Sequence, residues 1–284
     1  MPWSIIPTRL RPSRSRVQIL SDLHLEIGQQ YASCTFPASA PFLLLGGDIG
    51  RLIDYQGYLN FLEAQVSRYK RVFLVLGNHE FYGLGYSSGL DAARRLCQEP
   101  SVAESVVLLH RARWDDADSR LTILGRTLWS AIPECAYSAV ESKVSDMKKI
   151  EGWSIPMHNQ MHGEDLSWLR EKLSQLSQME NSKRRLLVAT HHAPCIDGTS
   201  RPEHTNNPWT PAFATRLLEQ GGWDGVKVWN FGHTRYSADF MRDGIRVVSN
   251  QRGYVLPGSI KPESEGKKSK KDAHGFDSGM AITL

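Results

Sequence analysis

The sequence predicts an α/β fold with a parallel component. Three features carry that expectation. Short runs of Val, Ile, Leu and Phe recur along the chain, and each closes in a polar or glycine-rich turn. Segments with apolar residues at three- and four-residue steps lie between them. No self-similar period is present, so the alternation is strand–helix–strand rather than a solenoid.

The runs at 17–20, 42–45 and 72–76 are continuous apolar stretches and read as strands buried on both faces. Residues 55–69 follow the second run and place Tyr58, Leu59, Leu62 and Val66 on one helical stripe. Further strands are expected at 106–109, 121–124, 186–189, 226–231 and 245–249. Residues 161–176 form an amphipathic helix through Leu166, Leu169, Leu173 and Leu176, preceded or opened by Asp146, His158 and His162. The apolar tail 280–284 is expected to return to a sheet as a last strand. Asn250, Arg252 and Tyr254 follow a strand and fit a pocket-lining loop, and most of the tryptophans, including Trp129 and Trp209, read as core.

Domain organisation follows. Residues 1–16 hold four Arg, several Ser and Thr, three Pro and no acid. The prolines break any amphipathic helix, so the segment reads as a disordered basic lead-in, with mitochondrial targeting as the alternative. Residues 17–284 form one domain, with a lysine-rich polar insertion at about 261–275.

Composition narrows the function classes. The 284 residues are 40% hydrophobic and 23% charged, an ordinary globular balance. No apolar run approaches the roughly 18 residues of a transmembrane helix. The formal charge of +4 is too mild to point to nucleic acid. The cysteines Cys34, Cys97, Cys135 and Cys195 form no CxxC pair and read as reduced thiols, which favours the cytoplasm.

Five polar clusters follow five of the expected strands: Asp22-Leu23-His24, Gly47-Asp48, Gly77-Asn78-His79-Glu80, His191-His192 and Gly232-His233-Thr234-Arg235. Ligands of open α/β sheets bind at the carboxyl ends of strands, where loops can gather such clusters. Each alone is weak. In this order they supply the imidazole nitrogen and carboxylate oxygen that borderline divalent metals take.

This order, DxH, GD, GNHE, H and GH, resembles the calcineurin-like metallophosphoesterase superfamily, and small single-domain phosphoesterases above all. The stretches 77–83, 127–129 and 246–254 extend the likeness. The resemblance implies a four-layer αββα sandwich of two mixed sheets flanked by helices. It implies hydrolysis of a small mono- or diester at two divalent metal ions, Mn, Fe, Zn or Ni. Asp22 and His24 would bind the first ion, Asp48 would bridge both, and Asn78, His191 and His233 would complete the second. His79 would protonate or stabilise the leaving oxygen. Glu80 orients His79 or caps a turn. His192 then stands behind the ligands or faces substrate. Where many members have a second His after GHx, this chain has Arg235, which cannot ligate a metal; it grips a substrate phosphate or turns to solvent. That departure is the one feature pointing to a non-catalytic scaffold for protein partners.

Overall fold

The computed structural model describes residues 14–178, 184–256 and 275–284. Most of the basic lead-in and nearly all of the polar insertion lie outside the described residues. The first half of the chain runs β1 (Arg16–Leu20), β2 (Phe42–Gly46), α1 (Tyr55–Val66), β3 (Arg71–Val75), α2 (Tyr86–Gln98) and β4 (Val106–Leu108). There follow β5 (Ala112–Asp115), β6 (Leu121–Arg126), α3 (Tyr137–Lys143), α4 (Asp146–Lys149), α5 (Ile155–Ser177) and β7 (Arg185–Thr190). The described chain closes with β8 (Val226–Asn230), β9 (Ala238–Arg242), β10 (Ile245–Ser249) and β11 (Ala281–Thr283).

Two mixed sheets result. The five-stranded sheet has the order β11-β1-β2-β3-β4, parallel except for β11. The six-stranded sheet has the order β5-β6-β7-β8-β10-β9, parallel except for its edge strands β5 and β9. Alternate residues of the central strands point to opposite faces, and the cores record it. Val17, Ile19, Leu44 and Phe73 of one sheet meet Ile123, Leu187 and Val228 of the other in a dry inner layer. Leu43, Leu45 and Leu74 face outward onto α1 and α2. Leu186 and Val188 face outward onto Leu169, Leu173 and Leu176 of α5. The order of layers is therefore helix, sheet, sheet, helix. Each fully buried Leu, Ile or Phe contributes about 1.5–3 kcal/mol.

Among the elements that escape the sequence pattern, β5, β9 and α2 do so for plain physical reasons. β5 and β9 are half-exposed edge strands that carry charge, so neither forms an apolar run. α2 buries Gly89, Ala92 and Ala93 beside Leu90 and Leu96, and such small residues give a faint stripe. α5 begins six residues before the expected start. Ser154 caps it by accepting from Met157 N–H, and Pro156 sits in its first turn. Its first three turns bury His158, His162 and Asp165, so the two histidines noted at its opening lie within it while Asp146 lies on α4, and apolar periodicity begins late.

That polar face of α5 fixes the loop after β6. Asp165 pairs with the fully buried guanidinium of Arg126, reaches Arg111 at 3.3 Å and accepts from Leu128 N–H at 3.0 Å. The clamp steadies Leu128 and Trp129, both at positive φ (72° and 47°). Burial raises the Asp165 carboxyl to about 6 against the pull of Arg126 and Arg111. Asp165→Ala would strand a buried cation and is expected to cost about 3–5 kcal/mol in urea denaturation. Fully buried His158 provides a pH test. Burial, helped by His162, lowers it to about 3, so it is neutral in the fold but takes a proton in the unfolded chain below about 6.5. Stability should therefore fall as pH drops from 7 to 5, His158 alone contributing about 2 kcal/mol. Denaturation at both pH values should show a smaller difference in His158→Gln.

Candidate metal centre

The carboxyl ends of β1, β2 and β3 in one sheet and of β7 and β8 in the other converge. Ser21 N–H donates to the Asn250 carbonyl (3.0 Å), and Gly253 N–H to the Asp22 carbonyl (3.0 Å). Thr127 Oγ1 donates to the Leu76 carbonyl (2.8 Å). These bonds tie the strand-end loops of the two sheets together around a common floor.

Asp48, just past β2, is the centre of that floor. Its Oδ1 accepts from His79 N–H (2.9 Å) and lies 3.3 Å from His191 Nε2. Its Oδ2 lies 4.0 Å from His24 Nε2 and 3.9 Å from His79 Nε2. The carboxylate thus stands between two donor groups: His24, Asp48 and His79 on one side, and Asp48, His191 and His233 on the other, each with ligand atoms within 4.8 Å of one another. Asn78 Oδ1 joins the second group at 3.2 Å from His191 Nε2. Asp22 is fully buried behind them and accepts from His233 N–H at 3.1 Å through both oxygens. All six expected ligands and His79 are brought together.

The local backbone is bent to achieve this. Asp22, His24, Asp48 and His233 all have φ between 48° and 70°. For non-glycine residues such conformations cost of order 1–3 kcal/mol each and persist only when surroundings over-determine them. Glu80 supplies much of that determination. Its carboxylate accepts from the N–H groups of Gly77 (2.7 Å), Asp48 (2.9 Å) and Ile49 (2.8 Å), and from Tyr58 Oη (3.0 Å). It therefore locks the turns after β2 and β3 together; it neither orients His79 nor merely caps a turn. The side chains also crowd the backbone: a Cβ on Gly77 would overlap Asp48 Oδ1, one on Gly47 would overlap His191, and one on Gly232 would come within 2.8 Å of Asp22 Oδ2.

The electrostatics suit a cation. Burial opposes the charged form of Asp48, yet His191 and His79 hold its carboxyl well below the usual range. Burial likewise opposes a charged His191, but Asp48 and Asp22 push it up to about 10. Two buried carboxylates thus create a demand for positive charge. His233 is held neutral by burial and by His191 beside it, as a ligand imidazole must be. His191 Nδ1 faces the Gly46 carbonyl (2.9 Å), which leaves Nε2 directed at Asp48 and Asn78. His24 Nε2 is buried without a hydrogen-bond partner. Donor chemistry, tautomer and the orphaned His24 nitrogen all fit divalent metal ions.

Two residues matter more here than the sequence indicated. Glu26 Oε1 lies 2.8 Å from His79 Nδ1 and 3.4 Å from His24 Nδ1, so one carboxylate backs both rings. Burial would raise Glu26, but its hydrogen bonding to these histidines outweighs it and holds the carboxyl at about 2. The available signal was spacing, an acid two residues after His24. Asp146, on α4, accepts from Asn78 Nδ2 (2.7 Å) and from Tyr82 Oη (2.7 Å), turning the Asn78 carbonyl into the site. Nothing local in the sequence couples it to a residue 68 positions away.

His192 and Arg235 take different places. His192 is fully buried, its ring 4.2 Å from His233 and 5.3 Å from Trp129, so it stands behind the metal-facing side chains and does not face a substrate. Arg235 lays its guanidinium 4.2 Å over the Tyr254 ring, at the edge of a cavity of about 460 Å³. Tyr254 lines this cavity as well, whereas Asn250 and Arg252 brace the backbone through the carbonyls of Ile19 and Leu23.

Comparison with known proteins agrees with this geometry. Residues 15–235 match the family model of calcineurin-like phosphoesterases. An uncharacterised protein of Acanthamoeba polyphaga mimivirus is 28% identical, the match covering 84% of this chain and 91% of the viral protein. Among solved structures, phosphopantetheinyl hydrolase from Mycobacterium tuberculosis superposes with a TM-score of 0.64 at 18% identity, covering 91% of this chain and 100% of that one. A dimetal phosphatase from Danio rerio superposes with a TM-score of 0.50 at 12% identity, covering 84% of this chain and 87% of that one. These two likenesses concern the fold, while the sequence match spans every cluster of the buried floor: the chain belongs to the calcineurin-like phosphoesterase family.

Proposed function

We propose that the chain hydrolyses a small phosphoester, mono- or diester, with two divalent metal ions held on either side of Asp48. The observation that carries this reading is the disposition of that carboxylate, one oxygen beside His191 and the other toward His24 and His79. Asp22, His24 and Asp48 would hold one ion, and Asp48, Asn78, His191 and His233 the other. Imidazole, carboxylate and amide donors suit Mn, Fe, Zn or Ni. Such a pair supplies positive charge for the phosphoryl oxygens and makes water a competent nucleophile near neutral pH.

The chain's own groups do the rest. His79 is the acid. Burial opposes its charged form, but Asp48 and Glu26 overcome that and raise its pKa. Glu26 holds Nδ1, which leaves Nε2 to deliver a proton to the departing oxygen. Neither Asp22 nor Asp48 has to act as a covalent nucleophile, since both are engaged in charge balance and backbone hydrogen bonds. Arg235 stands at the cavity edge, where its planar fork can pair with a phosphate oxygen. A preserved donor set with a backed histidine argues for catalysis over a protein-binding scaffold.

Assays of metal-stripped protein on p-nitrophenyl phosphate and bis-p-nitrophenyl phosphate, with Mn²⁺, Zn²⁺, Ni²⁺ or Mg²⁺ restored, test this directly. Turnover should require metal and vanish in Asp48→Asn. His79→Ala should lower kcat by about 10²–10⁴-fold, the range for losing a general acid. Glu26→Gln should give a smaller loss, since His79 keeps a hydrogen-bond partner without the charge. Full turnover in Asp48→Asn would overturn the assignment.

A further inference from the structure

Tyr254 lies against the reacting end of His79, and the backbone before it is fastened to the loop that bears Asp22 and His24. Arg252 N–H donates to the Ser21 carbonyl (3.2 Å) and Gly253 N–H to the Asp22 carbonyl (3.0 Å). The Arg252 guanidinium donates to the Leu23 carbonyl (3.2 Å) and to Gln30 Oε1 (2.7 Å). Gly253 then turns the chain at φ 73°, a left-handed conformation that glycine takes without strain. Tyr254 is thereby carried over the metal-facing loop.

Its ring is gripped from two sides. It meets the His24 ring edge to face, with centroids 4.4 Å apart and planes at 64°. The Arg235 guanidinium lies 4.2 Å from the ring centroid, where the negative face of the ring attracts a cation. The phenol tip is left pointing at His79. Its Oη lies 3.4 Å from His79 Nε2, its one hydrogen-bond partner among the described residues. His79 is held as firmly. Glu26 Oε1 engages Nδ1 at 2.8 Å, and the Tyr82 ring lies 4.2 Å away, tilted by 32°. Turning Nε2 elsewhere would break the Glu26 bond.

Two donors therefore face one place. Groups 3.4 Å apart can both donate to a single oxygen at ordinary hydrogen-bond distances of about 2.6–3.2 Å. A phenol keeps its proton near neutral pH and can donate it in a hydrogen bond. The Tyr254 ring also lines the cavity and is 44% exposed, so an ester that reaches His79 meets Tyr254 as well. As the ester bond breaks, its oxygen gathers negative charge, and a preplaced donor acts most strongly where charge develops.

We infer that Tyr254 is a catalytic residue, its phenol donating a hydrogen bond to the departing ester oxygen beside His79. The bond from phosphorus to that oxygen breaks with its electron pair going to the oxygen. His79 Nε2 gives the oxygen its proton; Tyr254 keeps its own and stabilises the charge until that transfer is complete. The role rests on the phosphoesterase reading, and it adds a second donor to the one assigned there.

Leaving groups of graded basicity separate this role from packing. The substrates are p-nitrophenyl, phenyl and ethyl phosphate, or the matching methyl diesters, with metal-supplemented protein and Tyr254→Phe. p-Nitrophenolate departs unaided, phenolate less readily, and ethoxide needs its charge met. Tyr254→Phe should lower kcat/KM for the ethyl ester by about 10–100-fold, the scale of one hydrogen bond to a charged oxygen, mostly through kcat. The phenyl ester should lose less, and the p-nitrophenyl ester should be nearly unchanged. Elemental analysis should find equal bound metal in the two proteins. An equal loss for all three esters, or no loss for any, would overturn the inference while leaving the hydrolase reading intact. A loss that tracks a fall in bound metal would overturn it too, since Tyr254 would then act only by packing on His24. No turnover of any ester by the unsubstituted protein with any metal would sink the hydrolase reading and this role with it.

Discussion

A carboxylate buried without compensation is expensive, and Asp48 sits at 2% exposure beside a second buried carboxylate, Asp22. Three imidazoles supply the compensation: His191 at 3.3 Å, with His79 and His24 at 3.9 and 4.0 Å. The rest of the structure is arranged to keep them there. The turns after β2 and β3 must approach each other closely, which is why Gly47 and Gly77 cannot carry a Cβ without striking His191 or Asp48. Those turns would repel or drift apart without Glu80, whose carboxylate takes three of their N–H groups. The strained φ values at Asp22, His24, Asp48 and His233 are then consequences of one requirement, that donors from both sheets reach one buried point.

The two-sheet architecture makes the convergence possible. A single parallel sheet lines up its carboxyl ends in a row. Two sheets packed through Ile19, Phe73, Leu187 and Val228 bring two such rows face to face. Backbone bonds across the seam, such as Ser21 to Asn250 and Gly253 to Asp22, hold the rows in register. The same seam places Tyr254 above His24, their rings 4.4 Å apart, and so connects the buried floor to the open cavity.

Legibility in the sequence followed locality. Buried strands announce themselves as apolar runs, and the five polar clusters stand directly after them, so the core sheets and the donor set could be read. Edge strands β5 and β9 could not, because solvent on one face removes the apolar run. Residues whose partners are remote were equally opaque. Asp146 gains its meaning from Asn78, and Glu80 from the backbone of the turn after β2. Glu26 lay within reach, since Asp22, His24 and Glu26 alternate, but its role depends on His79, more than fifty positions away. In three dimensions Arg235 stacks its guanidinium on Tyr254 and forms part of the cavity wall.

The central claim is that one carboxylate serves two metal ions. The most direct test is elemental analysis of bound metal after equilibration with excess Mn²⁺ or Zn²⁺ and removal of free ion, paired with anomalous diffraction from loaded crystals. The account predicts two ions per chain, with anomalous peaks on opposite sides of Asp48, and at most one in Asp48→Asn of intact fold. A single ion in the unsubstituted chain, or two retained after Asp48→Asn, would contradict it.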